Sequence, residues 1–314
     1  RAARFSYKDS RQIVVLAVGN AYLRVISDAA TVDSQQTQLK TSQALWQRAA
    51  DQRKAGVAAR IDELRAQVEL QTQQQRLIAA RNQLAKDKLS LARIIGLPLG
   101  QEFTATETVP YAPLEGVSLE KALADAYANR ADYLSAKAET RAAELARKAS
   151  VAARFPSIAT RTSYGDIGPN LGGSHGTLVF SGTLHIPIFQ GGRVKADILE
   201  ADTILQRRRA ELENLRGRID SEVRNAFLDL ESAGDLVKVA GSNMDLASQT
   251  LAQAQDRFSA GVTDNIEVVQ AQESVAAANQ AYISSLYTYN IAKVELAKAT
   301  GVAEQAVKAY LGGK

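Results

Sequence analysis

Apolar positions along this 314-residue chain follow two different periods. From Asn265 to Thr300, Ile266, Val269, Val275, Ile283, Leu286, Tyr289, Ile291, Val294 and Leu296 recur at helical spacing. Small residues between them, as in "SVAAANQAY", let a second helix approach closely. Ahead of this stretch a helical run extends from about Val194 to Ala260, a rod of roughly 100 Å at 1.5 Å per residue. The break between them, "FSAGVTDNIEVVQAQ", places Gly261 where one helix must end and the next turn back. The pattern predicts a helical hairpin that Gly301 closes.

The period changes to two at Pro156. "PSIATRTSYG" and "GTLVFSGTLHIPIF" both alternate, with "DIGPNLGGSH" between them. Leu178, Phe180, Leu184, Ile186 and Ile188 share one face, and Thr177, Val179, Ser181, Thr183 and His185 the other. This predicts a β-hairpin with a Gly-rich loop. Two strands alone are marginal in water. Either the hairpin is a flap packed on helices, or it is one piece of a shared barrel whose wall alternates apolar and polar residues.

The helical parts repeat. Shifted by 205 positions, Asn20-Ala21-Tyr22-Leu23 falls on Asn225-Ala226-Phe227-Leu228, and Ala55-Gly56-Val57 on Ala260-Gly261-Val262. Leu91-Ala92 with Gly96 falls on Leu296-Ala297 with Gly301. No gap interrupts the register, which marks a duplicated hairpin. All six prolines lie between Pro98 and Pro187, so two proline-free helical parts flank a broken middle. In that middle, two helices are expected to break near Asn129 and end at Phe155-Pro156. The predicted division is 1–97, a first helical repeat; 98–155, connecting helices; 156–190, the β-hairpin; 191–302, the second repeat; and 303–314, a tail.

Composition narrows the function. Only 6% of residues are aromatic, and Ala, Gln and Leu dominate, which suits long, thinly packed helices better than an enzyme core. The net charge of +4 is the small excess of 38 basic over 34 acidic residues, spread along the chain, so no nucleic-acid partner is expected. The absence of cysteine excludes disulfides and thiolate metal sites. His175 and His185 have no metal-ligand company, "GPNLGGSHG" precedes a strand rather than a helix, and "RRRAELENLRGR" reads as a solvated helix face. Asp264 and Glu267 are three apart, but no nucleophile accompanies them, so catalysis is not expected and no cofactor or metal is called for. The longest apolar run, from Ile13, is interrupted by Gly19 and Asn20, and no membrane-spanning helix is expected. The opening "RAARFSYKD" reads as mid-helix, so upstream sequence with a matching first hairpin is expected.

The pieces "ARFPSI", "LHIPIFQGGR", "RFSAGVTDNIEVVQAQ" and "YNIAKVELAKATGV", in this order and within the duplication, resemble the TolC-like outer-membrane efflux proteins. "ALADAYANRADYLSAKAETRAAELA" resembles the opening of that family's second half, with Arg130-Ala131-Asp132 in place of the usual Arg-Pro-Asp. The resemblance covers essentially the whole chain. It implies a mainly α fold of long antiparallel helical hairpins, the α-helical tunnel type, with one β-hairpin given to a trimeric outer-membrane β-barrel. It implies a homotrimer in the cell outer membrane, docked to a periplasmic adaptor (membrane fusion) protein and an inner-membrane transporter, and acting as a passive exit duct in efflux or type I secretion. The rival reading is a soluble or peripheral coiled-coil scaffold with a β flap.

The resemblance also assigns residues. Ala55, Gly56, Val57, Ala260, Gly261 and Val262 would meet the adaptor at the tip. Glu267 and Gln270, with Asp264 just ahead, would line the pore constriction. The family's best-studied member has acids at both constriction positions, whereas only Glu267 is acidic here. Asp62 matches a residue that ties the closed tip together, but its expected Arg and Tyr partners are Thr263 and Phe258. Arg60 or Arg65 is therefore expected to pair with Asp264 or Glu267. Leu178, Phe180, Leu184, Ile186 and Ile188 would face outer-membrane lipid.

Overall fold

The computed structural model describes residues 2–105, 111–114, 116–169, 172–173, 175–263 and 265–304. Among these residues six helices and two strands follow in the order α1 (Ala2–Lys54), α2 (Arg60–Ile95), α3 (Leu119–Asn129), α4 (Ala131–Ala152), β1 (Ser157–Ile167), β2 (His175–His185), α5 (Arg193–Ser259) and α6 (Asn265–Ala299). The chain forms two compact units. One comprises 1–5 and 132–218, the other 6–131 and 219–314.

The duplication is written into the backbone of the second unit. Gly56 and Gly261 have φ of 78° and 71°, and Gly96 and Gly301 have φ of 75° and 74°. An L side chain resists this left-handed region, so glycine ends each helix. At both tips the same carbonyl accepts the last bond: Val57 N–H donates to Gln52 O and Val262 N–H to Arg257 O, each at 3.0 Å. At the far ends Leu97 N–H donates to Ala92 O and Val302 N–H to Ala297 O.

Helix α6 runs antiparallel to α1 in a constant register. Gln12 Nε2 donates to Gly301 O at 2.7 Å, and Asn279 Nδ2 donates to Ser34 Oγ at 2.9 Å. Between those anchors Gly19 lies against Val294, and nearer the tip Leu45 packs with Val268, Ala271 and Ala254. On α5, Gly234 and Gly241 lie beneath the rings of Tyr289 and Tyr282. Small residues thus bring the helices together, as the sequence pattern implies. One expectation needs correction: α1 contains an 18-residue stretch apolar enough, by length and composition alone, to cross a membrane. The apolar residues after Gly19 and Asn20 lengthen the run. Within it Leu23 and Val25 are buried.

In the first unit α4 is tied to the opening of α5. Arg147 pairs with Asp202, Arg209 with Glu144 at 3.2 Å and Arg208 with Glu139 at 3.0 Å, over buried Ala143, Ala201 and Leu205. The strands pair antiparallel from Ser157↔His185 to Ile167↔His175. Ile158, Tyr164, Leu178, Phe180 and Leu184 form one apolar face, and every one of them is exposed. The hairpin is therefore not a flap with a buried face. Pairing stops at His185, so Ile186 and Ile188 lie beyond the strand that their alternation predicts. Pro187 has no N–H to continue the ladder.

Candidate functional site

The tip is built by two turns. Helix α1 ends at Lys54 and α2 starts at Arg60; α5 ends at Ser259 and α6 starts at Asn265. Ala55, Gly56, Val57, Ala260, Gly261 and Val262 are all exposed, with Val57 at 75% and Val262 at 69%. Val57 and Val262 thus stand exposed at matched places on the two turns.

The charged residues pair differently from the sequence expectation. Asp62 meets Arg65 on its own helix, at 3.7 Å. Glu267 accepts from Arg257 at 3.1 Å and from Thr263 Oγ1 at 2.6 Å. The pairing of Arg60 or Arg65 with Glu267 is thus not the one this chain makes. Geometry favours Arg257, which α5 brings alongside the first turn of α6. Asp264 lies outside the described residues. Gln270 is exposed, and Glu267 is part-buried.

What joins the two turns is Asn265. It is fully buried, and its Nδ2 donates to the Asp62 carbonyl oxygen at 2.9 Å. Asp62 thus meets α6 through its backbone carbonyl and not through its carboxylate. The sequence reading passed over Asn265 and Arg257. A polar residue opening a helix just after a glycine turn is the signal that pointed to Asn265. Above the tip, α2 and α6 border a groove of about 500 Å³, where Ile61, Leu64, Val68 and Val269 meet Gln270 and Glu273. Asn265→Ala would leave the Asp62 carbonyl without its donor. It is expected to cost about 1–2 kcal/mol and to raise amide exchange at residues 59–63 before exchange rises elsewhere. Unchanged exchange there would count against the bridge.

The hairpin is the other candidate surface. Leu178, Phe180 and Leu184 stand in β2 on its apolar face, at 68%, 72% and 59% exposure. Ile186 and Ile188 are exposed in the segment that follows. Among the described residues, no group of three or more His, Cys, Asp or Glu side chains is placed to hold a metal ion.

Comparison with known proteins fits this arrangement. The toluene efflux pump outer membrane protein TtgF of Pseudomonas putida is 26% identical over 297 residues, covering 93% of this chain and 62% of that protein. The chain thus spans less than two thirds of the relative's length. Among solved structures, the open state of the Neisseria gonorrhoeae MtrE outer membrane channel superposes with a TM-score of 0.73 at 21% identity, over 99% of this chain and 68% of that one. CusC superposes with a TM-score of 0.74 at 21% identity, over 96% and 71%. These structures share the fold. A family model described as outer membrane efflux protein matches residues 122–302, more than half of the chain, and the chain belongs to that family.

Proposed function

We propose that this chain supplies the helical tunnel wall and one barrel hairpin of an outer-membrane exit duct. Three copies would each add hairpins to one barrel, and the α1–α2 and α5–α6 hairpins would line a periplasmic tunnel. The duct is passive: no catalytic group is involved, and an inner-membrane transporter would supply the energy through a periplasmic adaptor seated on Val57 and Val262. The single observation that carries this reading is the exposed apolar row Ile158, Tyr164, Leu178, Phe180 and Leu184 opposite a mostly polar row. A hairpin exposed on both faces needs a wall to join, and lipid is the solvent that suits its apolar side. The same row argues against a scaffold, which has no use for it.

Glu267, with Gln270 and Asp264, is the proposed constriction. Arg257 beside Glu267 tempers the negative field there. In planar bilayers the full-length protein is expected to form cation-preferring pores. Glu267→Lys changes a threefold ring by about six charges, enough to weaken or invert that preference. Arg257→Gln is expected to strengthen it. Absence of pores from folded protein that stays in aqueous solution would favour the scaffold, and unchanged selectivity in both variants would remove Glu267 from the constriction.

A further inference from the structure

Midway along α1 and towards the far end of α2, two carboxyl groups face each other across the helix pair. Asp28 of α1 and Asp87 of α2 stand opposite each other in the antiparallel register that the Arg53–Glu63 pair also marks, and their carboxyls interact directly. Asp28 Oδ2 is buried and has no donor to accept from. Asp87 is nearly buried and already accepts from Gln83 Nε2 at 2.7 Å. Two carboxylates can share a hydrogen bond only if one of them carries the proton.

The duplication shows that this pair is particular to one hairpin. Shifting by 205 places Asp28 on Ala233 and Asp87 on Ala292. Both alanines are buried. Nearer the tip, Arg53 pairs with Glu63, whereas the matching positions Phe258 and Val268 belong to one apolar cluster. The α1–α2 hairpin is held by polar contacts where the α5–α6 hairpin is held by packing. Packing does not respond to protons, and a shared proton does.

We propose that Asp28 and Asp87 form a one-proton clamp between α1 and α2, which closes when the pair holds its proton and loosens when both carboxyls are ionised. The inference is independent of the exit-duct reading, since it concerns the hairpin alone. The electrostatics agree with the geometry. Burial, then the hydrogen bond to Asp87 and its charge, raises Asp28 from the ordinary 3.8 to about 7, against the opposing pull of Arg24. Burial pushes Asp87 upward, but its bonds with Asp28 and Gln83, together with Arg24, outweigh that and hold it below the ordinary value. From α6, Ile283, Leu286, Tyr287 and Asn290 border this part of α1, and of these only Tyr287 is titratable.

The sign follows from proton counting. Between about pH 4 and 7 the folded pair holds a proton that the unfolded chain has released, so stability falls as pH rises through that window. Above about 7 the folded pair loses its proton and two like charges face each other. The second hairpin has no such group at the matching place.

Two measurements on the intact chain test the clamp. Carbon-13 carboxyl titration of the unsubstituted chain is expected to show one aspartate titrating near neutral pH, assigned to Asp28 by its loss in Asp28→Asn. If every aspartate titrates in the ordinary carboxylate range, the clamp is overturned, and this reading does not depend on any variant folding. Hydrogen exchange, corrected for intrinsic rates, should lose protection by roughly tenfold in residues 24–32 and 83–91 between pH 5.5 and 8.5. Residues 229–237 and 288–296 should show no such loss. Asp28→Asn keeps a permanent N–H donor towards Asp87 and should abolish the pH response. An equal response in both hairpins, or one that survives Asp28→Asn, overturns the proposal.

Discussion

Gly301→Ala is expected to destabilise the second unit by about 2–5 kcal/mol, adding left-handed strain to overpacking. Gly301 has φ of 74°, and a Cβ there would lie 2.8 Å from Arg130 N and 2.9 Å from Asn129 C. Both are backbone atoms, and they cannot swing away as a side-chain tip can. The neighbourhood is tied down as well: Arg130 N–H donates to Ala126 O at 3.0 Å, and its guanidinium meets Glu222 at 2.5 Å. The repeat supplies an internal control. Gly96 has almost the same φ, 75°, but a Cβ there would meet nothing within 4 Å. Gly96→Ala should therefore cost only about 1–2 kcal/mol, the conformational part alone. Thermal or denaturant unfolding of the two variants compares them directly. Equal losses would mean that the approach of α6 to the α3–α4 junction relaxes freely.

Lys293→Met is expected to stabilise the protein at pH 7, by about 1–3 kcal/mol. Lys293 is fully buried in α6, and its Nζ has no hydrogen-bond partner. Burial lowers its pKa from 10.5 to about 8. That gap corresponds to roughly 3 kcal/mol against the charged form. The face of Tyr289, 4.7 Å from Nζ, recovers part of it. Below pH 8 both folded and unfolded chains carry the proton, and the penalty is fully present. Between about 8 and 10.5 the unfolded chain keeps a proton that the folded chain has released, so stability rises with pH. Unfolding midpoints measured from pH 7 to 10.5 should rise for the unsubstituted chain and stay flatter for Lys293→Met. A destabilised variant with an unchanged slope would show that Lys293 has a counter-charge in the folded protein.

The helical hairpins and their glycine turns were legible because each rests on short-range rules, and the outer-membrane efflux family was legible through the order and duplication of its pieces along the whole chain. A glycine in the left-handed region ends a helix whatever surrounds it, and both pairs of turn glycines stand where the 205-residue shift requires. The strand parity of Leu178, Phe180 and Leu184 was equally local. Alternation by itself ran too far, through Ile186 and Ile188, because a period of two says nothing about where the partner strand stops. Counting apolar residues likewise ended the α1 run too early at Gly19 and Asn20.

The candidate site was legible as a place and not as a set of contacts. Gly56 and Gly261 locate the tip from sequence alone, yet only packing decides that Glu267 takes Arg257 and Thr263, and that Asp62 is used through its carbonyl by Asn265. Asp62 and Asn265 are 203 residues apart, so no local period links them. The same holds for Asp28 with Asp87 and for Lys293. Each stands in a helix whose pattern allows several neighbours, and burial against the other helices selects one environment. Which segments are helix, turn and strand could be read along the chain, apart from where β2 stops, because those depend on neighbours a few residues away. Tertiary structure decided which polar groups lose their water, because desolvation depends on everything that packs around them.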